Sequence, residues 1–317
     1  MRRFLLMNKL KFIMLCGLPG SGKTTYAERI CANEKDFVHI SSDKIRKELF
    51  GNEEDQEHNE QVFQEMFKRV KESFRNNKNV IYDACNISYK KRMDLLKRLD
   101  SYNLEKTCVV IYSEYDKCLH FNKSRERHVP EYVIKRMMEN FYFPHKFEGW
   151  DNIVFESVGL TKRSIVDMIK LFFGDNGLCY EEHDNCHHSS TIGNHCLEAY
   201  QICCEMCADK NVKAASLLHD IGKPFVKSFK DRKGNESENA HYYQHQHVSA
   251  YFAAPYLVNN FVPHDLITIL TIIQFHMMPY SWEINKNEKL KKKYIDLWGK
   301  ELFEDIMIMH DADKQAH

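Results

Sequence analysis

Apolar and polar positions follow two regimes along this chain. Up to Phe155, short apolar runs recur: Phe12-Ile13-Met14-Leu15-Cys16, Phe37-Val38-His39-Ile40, Asn79-Val80-Ile81-Tyr82-Asp83, Thr107-Cys108-Val109-Val110-Ile111-Tyr112 and Ile153-Val154-Phe155. Each is short enough for a buried strand and is bounded by polar or turn-forming residues. Between them the spacing is helical. Residues 61–74 place Val62, Phe63, Met66, Phe67, Val70 and Phe74 on one stripe, and further helices are expected over 44–50, 88–99, 116–127 and 130–141, the last opened by Pro130. Strands alternating with helices predict an α/β domain built on a parallel sheet. From Leu160 the strand-like runs give way to long helical patterns such as 163–173 and 195–207, which predict a second, all-α domain. The expected organisation is an α/β domain over 1–156, a linker or first helix over 157–180, and a helical domain over 181–317.

The first apolar run leads into Gly17-Leu18-Pro19-Gly20-Ser21-Gly22-Lys23-Thr24-Thr25 and then Tyr26-Ala27-Glu28-Arg29-Ile30. Strand, glycine-rich loop and helix in this order form a P-loop. Successive N–H groups around Gly20, Ser21 and Gly22 curl round a phosphate, and the helix offers its positive N-terminus to the same anion. Lys23 is expected to reach the β/γ-phosphates, the Thr24 hydroxyl to hold Mg²⁺, and Thr25 to complete the cradle. The ligand implied is ATP with Mg²⁺.

Two other strand ends carry candidate chemistry. The second delivers Ser41-Ser42-Asp43-Lys44-Ile45-Arg46 to the edge where open parallel sheets bind ligands. A carboxylate at Asp43 can take the proton of an attacking hydroxyl, and Arg46, one helical turn on, can fork onto a phosphate. Capping of the following helix by Ser42 or Asp43 explains the same residues equally well. The third strand ends at Asp83, the shape of a Walker B position able to act on Mg²⁺, or of a turn-forming aspartate. Arg125 and Arg127 fall at a helix-to-helix corner; in a phosphotransferase this is the place of a lid that closes over the phosphates.

Composition changes this picture little. Charges balance overall, with 28 basic against 23 acidic residues up to Phe155 and 17 against 22 beyond it. That mild asymmetry permits a polyanionic substrate at the first half without the strongly basic surface of a duplex-coating protein. Eleven cysteines diluted in a long chain, several inside apolar runs, suit reduced thiols in the cytoplasm better than a secreted disulfide scaffold. Cys196, Cys203, Cys204 and Cys207 cluster on one expected helix; with no second ligand pair at finger-like spacing, packing is their expected role. No apolar run reaches the ~18 residues a membrane span needs.

In the second half, twelve of the 17 histidines follow Phe155. They fall in strings on separate expected helices: Gly193-Asn194-His195, Leu217-Leu218-His219-Asp220-Ile221-Gly222-Lys223, Tyr242-Tyr243-Gln244-His245-Gln246-His247, Gln274-Phe275-His276 and His310-Asp311-Ala312-Asp313. Imidazoles and carboxylates from different helices can enclose one or two divalent metals, which activate water for in-line attack on phosphorus.

These residues carry two resemblances. Residues 11–155 resemble the 5′-hydroxyl polynucleotide kinase family of phage and bacterial end-healing enzymes, through the P-loop at 17–25, Ser-Asp-x-x-Arg at 42–46, Asp-Ala-x-Asn at 83–86 and Arg-x-Arg-x-Val-Pro at 125–130. The resemblance implies Asp43 as general base on a 5′-OH, Arg46 as clamp on the acceptor 3′-phosphodiester, Arg125 or Arg127 as lid arginine, and Asp83 as support for the acceptor or the metal. Residues 180–317 resemble the HD phosphohydrolase superfamily. That resemblance implies His195, His219, Asp220 and Asp313 as primary ligands, His245 and His276 completing a second site, and Lys223 on the scissile phosphate. His247 competes with His245, and Asp311 with Asp313; His245 and Asp313 fit the family pattern better. Mn²⁺, Ni²⁺ or Co²⁺ would be the metal.

Together the two halves suggest an enzyme that heals RNA or DNA ends, phosphorylating a 5′-OH and removing or opening a 2′,3′-cyclic, 2′- or 3′-phosphate, with an RNA ligase as a plausible partner. A small-molecule or nucleoside kinase joined to an HD nucleotidase is the competing enzymatic reading, and a non-enzymatic ATP-driven switch the other.

Overall fold

The computed structural model describes residues 9–53, 57–124, 128–157, 164–184 and 190–316. They form two compact units, one of Met1–Ile134 with Glu148–Gly159 and one of Lys135–Phe147 with Leu160–His317. Among the described residues no helix is long and apolar enough to cross a membrane.

The first unit runs β1 (Leu10–Cys16), α1 (Lys23–Asn33), β2 (Phe37–Ser41), α2 (Ser42–Phe50), α3 (Asn59–Arg75), β3 (Asn79–Asp83), α4 (Tyr89–Arg98), β4 (Leu104–Tyr112), α5 (Tyr115–Lys123), the start of α6 (Glu131–Glu139), and β5 (Asn152–Ser157). The strands form one parallel sheet in the order β2-β3-β1-β4-β5. Alternate residues feed its two faces. Phe12, Met14, Val80 and Tyr82 pack with Val62, Met66, Val70 and Phe74 of α3 on one side; Leu15, Ile81, Val109 and Ile111 pack with Ala27 of α1 on the other. Fully burying each such side chain is worth about 1.5–3 kcal/mol before entropy is counted, so a strand apolar on both faces is stable only in the middle of these layers.

Helix α2 starts earlier than the sequence suggests. Neither Ser42 nor Asp43 caps it; the cap is Ser41, whose hydroxyl accepts from Lys44 N at 3.4 Å. Asp43 therefore sits inside the first turn, its carboxylate partly exposed.

Beneath the sheet's C-terminal edge lies a fully buried ion pair. Arg92 donates through Nε and Nη2 to Glu148 at 2.8 and 2.6 Å, and Trp150 Nε1 donates to the same carboxylate at 3.0 Å. Arg92 Nη1 also donates to the Asn86 carbonyl at 2.8 Å, while Asn86 Nδ2 donates to Leu15 O at 2.6 Å. The pair thereby braces the turn after β3 against the end of β1, where the P-loop begins.

The second unit takes the end of α6 and the segment to Phe147, then α7 (Ile165–Phe173), α8 (Ile192–Glu205), α9 (Lys210–Leu218), α10 (Lys223–Val226), the hairpin β6 (Ser228–Lys230) and β7 (Glu236–His241), α11 (His245–Leu257), α12 (Pro263–Phe275), α13 (Met278–Glu283), α14 (Glu288–Trp298) and α15 (Lys300–Gln315). Helices dominate as expected, and the antiparallel hairpin is an addition to the all-α expectation. Helices α8, α9, α12 and α15 pack around a core that includes Ile192, Ala199, Val212, Leu218, Ile269, Ile273 and Ile306. The segment before β5 is part of this core. Phe143 N donates to Gln274 Oε1 at 2.9 Å, Gln274 Nε2 donates to Phe141 O at 2.6 Å, and Phe141 and Phe143 pack on Tyr251.

Candidate active sites

The P-loop closes on itself at the sheet edge. Gly17 N donates to Cys85 O at 3.1 Å, and Lys23 Nζ donates to the carbonyls of Gly17 and Leu18 at 3.0 and 2.8 Å. Gly20 has φ +82°, and a Cβ there would lie 2.2 Å from the Cys118 carbonyl of α5. No side chain fits, so only glycine lets the loop pass this close to α5. Ser21 is buried, Gly22 precedes α1, and Thr25 is exposed on the first turn of α1.

Parallel register brings Ser41 and Asp83 level at the ends of β2 and β3, and Leu15 level with Asp83 across β1. Thr24 Oγ1 accordingly donates to Asp83 Oδ2 at 3.1 Å, and His39 Nε2 donates to the same oxygen at 2.9 Å. Burial works against charge on Asp83, but the His39 hydrogen bond and the nearby Lys23 hold its carboxyl below the usual range. A hydroxyl and an ionised carboxylate converging beside a glycine cradle fit Mg²⁺ with a nucleotide phosphate: both are hard oxygen donors. His39 was not anticipated, because nothing in the local string of β2 marks it as a partner for a residue 44 positions away.

Asp43 and Arg46 also meet. Arg46 Nη1 donates to Asp43 Oδ1 at 2.8 Å and Nη2 to Asn59 Oδ1 at 2.8 Å. The guanidinium is 7% exposed and the Asp43 side chain 46% exposed, so a fixed buried cation holds a carboxylate that still faces solvent. Arg125 and Arg127 lie outside the described residues.

In the second unit, His195 of α8, His219 and Asp220 after α9, and Asp313 of α15 bring their ligating atoms within 4.8 Å of one another; Asp220, His245 of α11 and His276 after α12 do the same. Asp220 belongs to both groups. Its Oδ2 lies 3.3 and 3.5 Å from the Nε2 atoms of His219 and His195, and its Oδ1 lies 3.1 Å from His245 Nε2. Gly222 makes this approach possible. A Cβ there would stand 2.5 Å from Ser249 N and 2.7 Å from His245 O, so only glycine lets α11 lie against the His-Asp turn.

The four imidazoles follow one rule. Nδ1 of His195, His219, His245 and His276 donates to the carbonyls of Ala316, Ser216, Tyr242 and Ile273 at 2.6, 2.7, 2.8 and 2.7 Å. A carbonyl only accepts, so the proton is on Nδ1 and a neutral ring turns the lone pair of Nε2 inward. His195 Nε2 then faces His219 Nε2 at 3.2 Å and Asp313 Oδ1 at 3.0 Å, and His245 Nε2 faces His276 Nε2 at 3.2 Å. Lone pairs directed at lone pairs require positive charge between them. Burial opposes charge on His219, yet the Asp220 carboxylate raises its pKa well above the usual imidazole value, while Asp220 and Asp313 are held well below theirs against the same burial. His276 is driven by burial down to about 3. Atoms of a tetrahedral shell about 2.1 Å from a metal stand about 3.4 Å apart, so a divalent cation fits the spacing as well as the charge.

His247 and Asp311 do not join these groups. His247 turns away to Gln274 and packs at a tilt on Tyr142, and Asp311 is exposed. Cys196 and Cys203 are buried in the packing of α8, whereas Cys204 and Cys207 are exposed, so packing accounts for only two of the four. Two polar neighbours carry no motif in the sequence. Tyr280 donates its hydroxyl to Asp313 Oδ2 at 3.1 Å. His183, 1% exposed, sets its ring edge-to-face on His195. Lys223 Nζ lies 2.5 Å from Asp220 Oδ2.

Comparison with known proteins follows this division. Residues 12–144 match the family model of the AAA domain, and residues 192–316 that of the HD domain. The chain is similar to an L-seryl-tRNA(Sec) kinase of Methanococcus maripaludis, 27% identical over 143 residues, which cover 44% of this chain and 55% of the relative. It thus spans little more than half the length of that curated relative. Among solved structures it is similar to a chain of the Pnkp1/Rnl/Hen1 RNA repair complex, at 20% identity and TM-score 0.39 over 44% of this chain and 46% of that one. It is similar also to a fungal RNA kinase, at 15% identity and TM-score 0.33 over 49% and 76%. The chain therefore carries two matched domains, an AAA domain over residues 12–144 that includes the P-loop and an HD domain over residues 192–316 that includes the His/Asp groups.

Proposed function

We propose that this protein is a bifunctional end-healing enzyme: the first unit transfers the γ-phosphate of ATP to a 5′-OH of RNA or DNA, and the HD unit removes or opens a terminal 2′,3′-cyclic, 2′- or 3′-phosphate. The observation that carries the kinase half is the pairing of Asp43 with buried Arg46 at the same sheet edge as Thr24 and Asp83. Arg46, fixed by Asn59, orients Asp43, so that its solvent-facing carboxylate can take the proton of an incoming hydroxyl. Lys23 exchanges the carbonyls of Gly17 and Leu18 for phosphate oxygens when ATP enters. Arg125 or Arg127 fills the lid role in this reading.

In the HD unit, His195, His219, Asp220 and Asp313 hold one cation, and Asp220, His245 and His276 a second. A divalent ion there, of the Mn²⁺, Ni²⁺ or Co²⁺ kind, supplies Lewis acidity toward a phosphoryl group and the attacking water. Lys223 meets the phosphate from the side of Asp220.

Two assays test this. Labelled ATP with a 5′-OH oligonucleotide should give a 5′-labelled product, and Asp43→Asn should lower its rate by roughly 10²-fold or more. An unlabelled oligonucleotide with the parent protein rejects the kinase half. A 2′,3′-cyclic-phosphate RNA incubated with Mn²⁺ should lose its cyclic end; an unchanged end alongside turnover of free nucleotides favours the nucleotidase reading. The similarity to a seryl-tRNA kinase favours one alternative acceptor, a hydroxyl carried on charged tRNA. Competition decides it, because a 5′-OH oligonucleotide would then fail to inhibit. An RNA ligase partner follows naturally, as it would consume the healed ends.

A further inference from the structure

His183 obeys the rule of the four candidate ligands without belonging to their groups. Its Nδ1 lies 2.7 Å from the carbonyl of Ser190, so this nitrogen carries the proton and a neutral ring aims the lone pair of Nε2 inward. There it meets Lys223 Nζ at 3.2 Å, and Lys223 in turn lies 2.5 Å from Asp220 Oδ2. An ammonium group only donates, so the contact has one sense: lysine gives, histidine accepts. Tyr242 closes the arrangement, its ring 5.5 Å from Lys223 Nζ and its hydroxyl donating to the His183 carbonyl.

Lysine is a point charge on a flexible stem, and ordering it costs rotamer entropy. A neutral acceptor removes that freedom without cancelling the charge, whereas a second carboxylate in its place would compete with an incoming phosphate for the ammonium. We propose that His183 is a positioning residue for Lys223, holding the Lys223 ammonium where the oxygens of a phosphate arriving at the Asp220 cluster meet it. The role rests on reading this cluster as a phosphohydrolase site.

The test uses the full-length protein loaded with Mn²⁺ and titrated with inorganic phosphate by calorimetry, with Mn²⁺ affinity measured separately on chelator-treated protein. In His183→Ala the phosphate dissociation constant should rise about tenfold, while Mn²⁺ affinity stays within roughly threefold, well short of the loss a ligand change brings. Retained Mn²⁺ binding also reports that the unit is folded. His183→Gln, whose amide oxygen can stand near the position of Nε2, should restore phosphate affinity to within about threefold of the parent. Lys223→Ala should weaken phosphate as His183→Ala does, and the double variant should lose little more than either alone, because both remove one interaction.

Unchanged phosphate affinity in His183→Ala overturns the proposal, as does loss of Mn²⁺ affinity by tenfold or more in both His183 variants, which would make the residue a ligand or a packing element. A parent that binds phosphate yet hydrolyses no terminal phosphate ends the phosphohydrolase reading but leaves the positioning role measurable. A parent that binds no phosphate overturns both.

Discussion

Asp305 shows how a single side chain on α15 tunes stability without belonging to either candidate site. Partial burial, with Asp209, Glu301 and Glu304 nearby, raises its pKa from the usual carboxylate range to about 6. A carboxyl raised in the folded state binds its proton more tightly there than in the unfolded chain, so stability is lost as pH rises from about 4 to about 6. The shift corresponds to about 3 kcal/mol at most, and solvent screening of a half-exposed group reduces it to about 1 kcal/mol. Asp305→Asn should therefore stabilise the protein by about 1 kcal/mol at pH 7 in urea unfolding. The gain should vanish below pH 4; an equal gain at both pH values would mean the effect is not titration. The same scale shows what a string of letters can hold. His219-Asp220 stands out because the pair recurs with histidines on other helices, whereas His39, His183 and Tyr280 are ordinary residues until folding brings Asp83, Lys223 and Asp313 to them.

At the scale of elements, apolar periodicity was legible wherever burial is two-sided or striped. Strand β3 stands at Asn79–Asp83 as the sequence suggests, and α3 buries Val62, Met66, Val70 and Phe74 while leaving Phe63 exposed at the edge of its stripe. The hairpin β6–β7 was not legible. Glu236-Ser237-Glu238-Asn239 has no apolar alternation, and its pairing is decided by the turn at Gly234, with φ +87°. The segment through Phe141 and Phe143 poses a different difficulty, since an apolar residue does not state which core it will join. Its attachment depends on Gln274, which satisfies a buried N–H and a buried carbonyl at once. Gln274→Ala should leave both unpaired and cost about 2–4 kcal/mol. Loss of protection at Phe143 N in hydrogen exchange would accompany it; unchanged exchange there would show that water replaces the amide.

Over the whole molecule, two units with separate cores carry two different answers to negative charge: a glycine cradle with a lysine, and a cage of inward lone pairs. The second answer ties stability to an ion. A cation that binds only the folded HD unit adds about 2.7 kcal/mol at a hundredfold excess over its dissociation constant. Chelation should lower the melting temperature of this unit, and Mn²⁺ should restore it. A melting curve indifferent to both would show that protons alone relieve the repulsion at His219 and Asp220.

The bond from His195 Nδ1 to the carbonyl of Ala316 spans 121 residues. On a ribosome adding about 5–20 residues per second, α8 emerges roughly ten seconds before the helix that orients its histidine. During that interval the imidazole has neither a fixed tautomer nor its neighbour Asp313. The cage is thus completed only once α15 has been made, so a chain stalled before that helix would carry a nucleotide cradle and no ion site.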